Sequence, residues 1–216
     1  MQDVITIALA KGRLAEKAIA VLEKCGIDCS QVKDPGRRLV LRDETGAYQF
    51  ILVKPSDVPT YVDSGVADIG IAGKDTLMEE NRPLYEMLDL GFGRCRLCIA
   101  GFPDAAQRRG ITVANRRVAT KYPNIARSFY AARGETIDII KLNGSVELGP
   151  IVGLADEILD IVESGKTLKE NGLVVLEEVC PVSAHLVVNR VSLKTKGNKI
   201  KALIAQVRAA LEEEQA

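Results

Sequence analysis

One short pattern occurs twice in this chain. Gly65-Val-Ala-Asp68 is echoed by Gly153-Leu-Ala-Asp156, and Gly73-Lys-Asp-Thr-Leu77 by Gly165-Lys-Thr-Leu168. Each copy reads as a helix, a Gly-x-Ala-Asp corner, a strand, a Gly-Lys turn and a leucine. A chain built twice on this unit has two similar lobes, each contributing a strand–turn–helix to one cleft. The echo predicts a strand over residues 155–162, although Asp156 and Asp160 at i, i+4 fit a helix equally.

The second copy carries the more pointed chemistry. Asp160 and Glu163 stand just ahead of Ser164-Gly165-Lys166-Thr167. A turn of Ser, Gly and Thr leaves backbone N–H groups free, and a following helix adds its positive end. Both favour an anion, most often phosphate. Carboxylates just upstream suit sugar hydroxyls or a Mg²⁺ ion. The local chemistry fits a phosphorylated sugar, and equally an ordinary strand–turn–helix connection with Ser164 as N-cap.

Elsewhere the chain alternates strand and helix signals. Val4–Leu9 is β-rich, Lys11-Gly12-Arg13 follows, and apolar residues at helical spacing run from Leu14 to Cys25 before Gly26. The basic turn suits an anionic ligand, or is a solvated surface turn. Two β-rich runs around Asp43–Gly46 predict a hairpin, with Arg37 and Arg38 pointing to opposite sides of its first strand. A helix is expected over 58–66, with Pro59 in its first turn. Strands are expected at 67–72, 95–100, 137–142, 174–179 and 185–189. Gly91 and Gly93 bracket a crossing between lobes. Ser145 is the natural N-cap of a helix after 143–147, and Glu147 sits near its start. Residues 198–213 form an amphipathic helix that buries Ile200, Leu203, Ile204, Val207 and Leu211. This alternation predicts an α/β fold with mostly parallel strands. Ligands in such sheets bind beyond the carboxyl ends of strands, where the turns at 11–13, 73–75, 143–147 and 163–167 fall.

Several chemistries are poorly supplied. Formal net charge is zero and there is no Trp, which argues against a nucleic-acid surface. No stretch approaches the roughly 20 apolar residues of a membrane helix, and the N-terminus has no signal-peptide pattern, so a cytosolic protein is expected. Five cysteines in apolar contexts read as reduced and packed, and Cys95-Arg-Leu-Cys98 lacks the second pair of a metal site. The single histidine, His185, lies in a strand and reads as packed or hydrogen-bonded. Neither a P-loop nor a Rossmann glycine pattern is present. Phosphate binding, acids, arginines and Mg²⁺ remain.

The motifs Ala10-Lys-Gly-Arg-Leu14, Gly70-Ile-Ala-Gly-Lys-Asp75, Asp89-Leu-Gly-Phe-Gly93, Ala119-Thr-Lys-Tyr-Pro-Asn124, Leu142-Asn-Gly-Ser-Val-Glu147 and Gly153-Leu-Ala-Asp156 through Thr167-Leu168 follow in order over nearly the whole chain. In this combination the chain resembles the ATP phosphoribosyltransferases of histidine biosynthesis, in their short form. The resemblance implies an α/β fold of two lobes of the periplasmic-binding-protein type II kind, with the active site in the cleft between them. Lobe I would span 1–93 and 180–216, and lobe II 94–179. The family joins N1 of ATP to C1 of 5-phosphoribosyl 1-diphosphate, and pyrophosphate leaves with Mg²⁺ held mainly by substrate phosphates.

By the same resemblance Glu163, Ser164, Gly165, Lys166, Thr167 and Leu168 would hold the 5-phosphate, and Asp160 would face the ribose hydroxyls. Glu147, Gly73, Lys74 and Asp75 would complete the substrate site. Arg13 and Arg37, helped by Lys11, would be the catalytic cations near the pyrophosphate and triphosphate groups. Arg37 is preferred to Arg38. The short form implies a homodimer inside a hetero-oligomer, with a regulatory subunit resembling histidyl-tRNA synthetase, in the cytoplasm. Two rivals remain: a solute-binding protein of the same fold, and a phosphoribosyltransferase acting on another base.

Overall fold

The strand Ile5–Ala10 (β1) is buried at every position, as the central strand of a sheet covered on both faces must be. Ile5, Ile7 and Leu9 pack with Ala18, Leu22 and, from the C-terminal segment, Ile200, Leu203 and Val207. Ala8 and Ala10 face the opposite way, against Val58 and Val62. The two-residue period of the strand thus assigns one helix layer to each face. Burying each leucine of that layer contributes about 1.5–3 kcal/mol.

The protein is represented by a computed structural model that describes residues 4–105 and 116–213. It divides into unit 1, Met1–Gly93 with Ser183–Ala216, and unit 2, Arg94–Val182. In unit 1, β1 is joined by β2 (Val40–Arg42), β3 (Tyr48–Val53), β4 (Ile69–Gly73), β5 (Tyr85–Asp89) and β11 (Ala184–Val188), in the order β2-β3-β1-β4-β11-β5. Its helices are α1 (Arg13–Lys24), α2 (Ser30–Lys33), α3 (Val58–Asp63) and α4 (Lys74–Glu80), with α8 (Ser192–Thr195) and α9 (Gly197–Glu213) from the returning chain. In unit 2, β6 (Cys95–Gly101), β7 (Arg116–Thr120), β8 (Ile137–Lys141), β9 (Glu157–Val162) and β10 (Val174–Val182) form the order β10-β6-β9-β7-β8. Its helices are α5 (Pro123–Ala131), α6 (Leu148–Ile151) and α7 (Lys166–Glu170).

The sheets are mixed rather than mostly parallel. Among the described residues, β1/β3, β1/β4, β7/β8 and β7/β9 pair in parallel. The other pairs are antiparallel: the hairpin β2/β3, and every pair involving β6, β10 or β11. The chain enters unit 2 through β6, which runs against the parallel centre, and leaves it through β10, which pairs with β6 alone and so runs in the direction of that centre. The hairpin at 34–54 is present, but Arg37 and Arg38 precede its first strand and lie at a turn closed by Arg38 N–H donating to Pro35 O at 3.0 Å. α3 stops at Asp63 rather than 66, because Gly65 turns left-handed at φ 75°. The terminal helix matches its expected span, and all five residues of its apolar stripe are buried.

The sequence echo is an echo of structure. Asp68 N–H donates to Thr6 O at 2.8 Å, and its carboxylate accepts Thr6 N–H at 2.8 Å. Asp156 N–H donates to Arg117 O at 2.9 Å, and its carboxylate accepts Arg117 N–H at 2.8 Å. Each aspartate therefore clasps the peptide of the neighbouring parallel strand just before β4 or β9 begins. The preceding glycines match too, with φ 75° at Gly65 and 72° at Gly153. Residues 157–162 are a strand, so Asp156 and Asp160 are about 13 Å apart along it.

Candidate functional site

In unit 2 the parallel strands β8, β7 and β9 lie side by side, and their carboxyl ends deliver 142–147, 121–122 and 163–165 to one edge of the sheet. Thr120 binds those ends together. Its buried hydroxyl donates to Leu159 O at 2.7 Å and accepts Tyr122 N–H at 2.8 Å, while its carbonyl accepts Leu142 N–H at 3.0 Å.

Beyond β9 the chain turns at Gly165, whose φ of 72° and ψ of 7° suit glycine. Gly165, not Ser164, is the N-cap of α7. The Ser164 hydroxyl accepts Lys166 N–H only at a long 3.4 Å. Among the described residues no acceptor meets the backbone N–H groups of Ser164, Gly165, Thr167 and Leu168, or the Thr167 hydroxyl. α7 has five residues, so its dipole adds little, and the converging N–H groups are what suit an anion here. Leu168 is 5% exposed and packs with Val162, Val146 and Leu173, so only its backbone is offered outward. Lys166 pairs with Glu170 at 3.8 Å. Asp160 is half-buried near the end of β9, and Glu163 is exposed beyond it.

The turn at 143–147 differs from its expected form. Ser145 is not an N-cap: it adopts the left-handed region at φ 49°, and Glu147 caps the four-residue α6 without a side-chain bond. A non-glycine residue held there stores about 1–2 kcal/mol of strain. The Glu147 carboxylate accepts no hydrogen bond among the described residues. Asp156 is fixed elsewhere, pairing with Arg117 at 3.0 Å. That hydrogen bond and the carboxylate charge raise the Arg117 guanidinium above its ordinary range.

In unit 1, Lys11 and Gly12 follow β1, Arg13 opens α1, and Gly73 ends the adjacent parallel strand β4, so these residues share the carboxyl edge of that sheet. Arg37 lies toward the same edge, because β2 runs antiparallel to β3 and begins beside its carboxyl end. Gly12 has φ 113°, and no atom lies within 4 Å of where its Cβ would stand. Arg37 is exposed without a hydrogen-bond partner among the described residues. Arg38 is occupied, donating to Gln31 Oε1 at 3.3 Å, Asp34 O at 3.1 Å and Pro35 O at 3.3 Å. At the predicted turn 73–75, Lys74 is engaged by neighbouring segments. Lys74 N–H donates to Ser183 O at 2.8 Å, and Lys74 Nζ to both oxygens of Glu86 at 2.8 and 2.7 Å. A Cβ on Gly73 would stand 2.2 Å from the Asp75 carboxylate, which folds back over it.

His185 is hydrogen-bonded within unit 1, Nε2 3.3 Å from Ser183 Oγ and Nδ1 3.4 Å from Glu86 Oε2. Cys95 and Cys98 are three apart on β6 and point to opposite faces, so they form no joint ligand pair. Burial pushes the Cys98 thiol up. Among the described residues no three or more His, Cys, Asp or Glu side chains gather as a metal cage. Asp160 and Glu163 are oxygen donors of the kind a hard cation takes.

The profile of the HisG family, ATP phosphoribosyltransferase, matches residues 54–209. The ATP phosphoribosyltransferase of Caldanaerobacter subterraneus subsp. tengcongensis is 52% identical, covering 97% of this chain and 98% of its own. Among solved structures, the chain is similar to the ATP phosphoribosyl transferase (HisG:HisZ) complex from Thermotoga maritima. That match has a TM-score of 0.86 at 36% identity, over 99% of this chain and 100% of the other. A periplasmic VFT2 domain of Bordetella pertussis BvgS has a TM-score of 0.56 at 16% identity, over 98% and 93% of the two chains, and likens the fold alone. The fold class is α/β, of the two-lobed periplasmic-binding-protein type II architecture.

Proposed function

The chain belongs to the ATP phosphoribosyltransferase family, and from that premise we propose which of its residues carry the reaction. The enzyme transfers the 5-phosphoribosyl group from 5-phosphoribosyl 1-diphosphate to N1 of ATP and releases diphosphate, the first step of histidine biosynthesis. In our reading the backbone N–H groups of 164–168 and the Thr167 hydroxyl bind the 5-phosphate, with Glu163 and Lys166 flanking them. Asp160 orients the ribose hydroxyls, and Glu147 lies at the adjacent turn. The observation that carries this reading is the set of unpaired donors converging at one exposed turn. Each such donor binds a phosphate oxygen more strongly than a neutral acceptor.

Arg13 and Arg37, with Lys11, act on the leaving pyrophosphate and the triphosphate. Charge builds on the leaving group as the C1–O bond opens, so cations held there stabilise the transition state more than the bound substrate. The freedom of Arg37, against the engagement of Arg38, supports Arg37 in this role. Gly73, Lys74 and Asp75 shape the unit 1 edge, with Lys74 acting through its pairing to Glu86.

The family uses a metal ion. We assign it as Mg²⁺ carried mainly on substrate phosphates, with Asp160 or Glu163 supplying a carboxylate; it would neutralise the diphosphate charge. The Thermotoga maritima relative is solved as a HisG:HisZ complex, which supports a hetero-oligomer with a regulatory subunit here. We further take that subunit to resemble histidyl-tRNA synthetase, this chain to form a homodimer within the assembly, and the location to be the cytoplasm. The test is formation of phosphoribosyl-ATP from both substrates with Mg²⁺, with and without that subunit. No product under either condition contradicts the reading. Arg37→Ala should lower kcat about a hundredfold with little change in KM, and Arg38→Ala should lower it far less. A pure KM effect would make Arg37 a binding residue only.

A further inference from the structure

We propose that Lys121 is a substrate-contacting cation that adds the missing positive charge at the 5-phosphate. The proposal rests on the phosphate-turn reading above and names one more residue of that site. β7 is the central strand of the three whose carboxyl ends meet, lying between β9 and β8. Lys121 is the first residue beyond it. Ala119 and Ile158 are partners across β7 and β9, and both pack in the cluster that contains Leu168 and Val146. Two residues further on, the strand period carries Lys121 and Asp160 to that same face, at the level where the phosphate turn begins.

The Lys121 backbone is held firmly, because Thr120 on one side is locked to Leu159, Tyr122 and Leu142, and Tyr122 on the other is buried. The side chain is exposed. Its ammonium lies 5.9 Å from the centroid of the Tyr122 ring and meets no carboxylate among the described residues. The turn's own lysine, Lys166, has Glu170 beside it. A 5-phosphate at the turn would otherwise be bound mainly by neutral amides and a hydroxyl, next to Asp160 and Glu163. An ammonium from the adjacent strand end offsets those carboxylates and supplies a charge-assisted bond.

Lys141 provides an internal control. It ends β8 as the partner of Thr120, so it belongs to the opposite face of the same sheet edge. Titration calorimetry with 5-phosphoribosyl 1-diphosphate and with ribose 5-phosphate tests the assignment. Lys121→Ala should weaken both about tenfold. Lys121→Arg should retain most of the affinity, and Lys141→Ala should change neither ligand. Equal losses at Lys121 and Lys141 would reduce the effect to general charge and overturn the proposal. So would unchanged binding by Lys121→Ala, or a loss confined to the diphosphate. Thr167→Ala, run alongside, separates the two ideas. If it weakens binding while Lys121→Ala does not, the phosphate turn stands and Lys121 is dismissed. If neither has an effect, the turn reading itself fails.

Discussion

The two copies of the Gly-x-Ala-Asp unit begin alike and end in opposite ways. Both start with a left-handed glycine and an aspartate that clasps the neighbouring strand through two backbone bonds. In unit 1 the chain then takes five positions from Asp68 to Gly73, and both donors of Lys74 are met by neighbouring segments. Ser183 caps the Lys74 amide, Glu86 holds the Lys74 ammonium, and Thr76 is buried. In unit 2 it takes nine positions from Asp156 to Gly165. The longer segment carries the turn past the end of the sheet, where Leu168 alone is anchored and Thr167 stands exposed. On the proposed reading, the same motif is structural in one setting and a ligand cradle in the other. What separates them is that Lys74 is held by Ser183 and Glu86, whereas most donors of the unit 2 turn meet no acceptor among the described residues.

Substitutions at matched positions sharpen this contrast. The largest effect is expected at Asp68. It is buried and accepts Thr6 N–H, the Ser192 hydroxyl at 2.6 Å and Lys196 Nζ at 2.8 Å. Asp68→Asn leaves Lys196 without its counter-charge and should cost about 3–5 kcal/mol in chemical denaturation. Gly165→Val comes next. The left-handed backbone and the loss of close approach should weaken binding of the ribosyl donor about thirtyfold, with the sheet intact by circular dichroism. Asp156→Asn, at a half-exposed ion pair, should destabilise unit 2 by no more than about 1 kcal/mol. If Asp156 costs as much as Asp68, the two clasps are equivalent and the contrast is confined to the turns.

The apolar runs and the echo made the strands, the terminal helix and the α/β class legible before any coordinates. Strand direction was less legible, because a run such as 95–100 has the same pattern whichever way it enters a sheet. Capping residues misled for a related reason. Ser145 and Ser164 are good caps by type, but the backbone turned left-handed at Ser145 and at Gly165. The pairing of Lys74 was not legible, because its partner, Glu86, lies on another strand, beyond the reach of local pattern. Lys121 lies inside the motif Ala119–Asn124, but the motif assigns it no role; the strand order and the β7/β9 register bring it level with Asp160.

The central claim is that the unit 2 turn binds the donor phosphate while its twin in unit 1 is structural. Thr167 and Thr76 hold the same place in the two copies, so titrating 5-phosphoribosyl 1-diphosphate against Thr167→Ala and Thr76→Ala tests it directly. The account predicts about tenfold weaker binding for Thr167→Ala, and for Thr76→Ala unchanged affinity with a lowered melting temperature. Equal losses of affinity, or a loss at Thr76 alone, would contradict it.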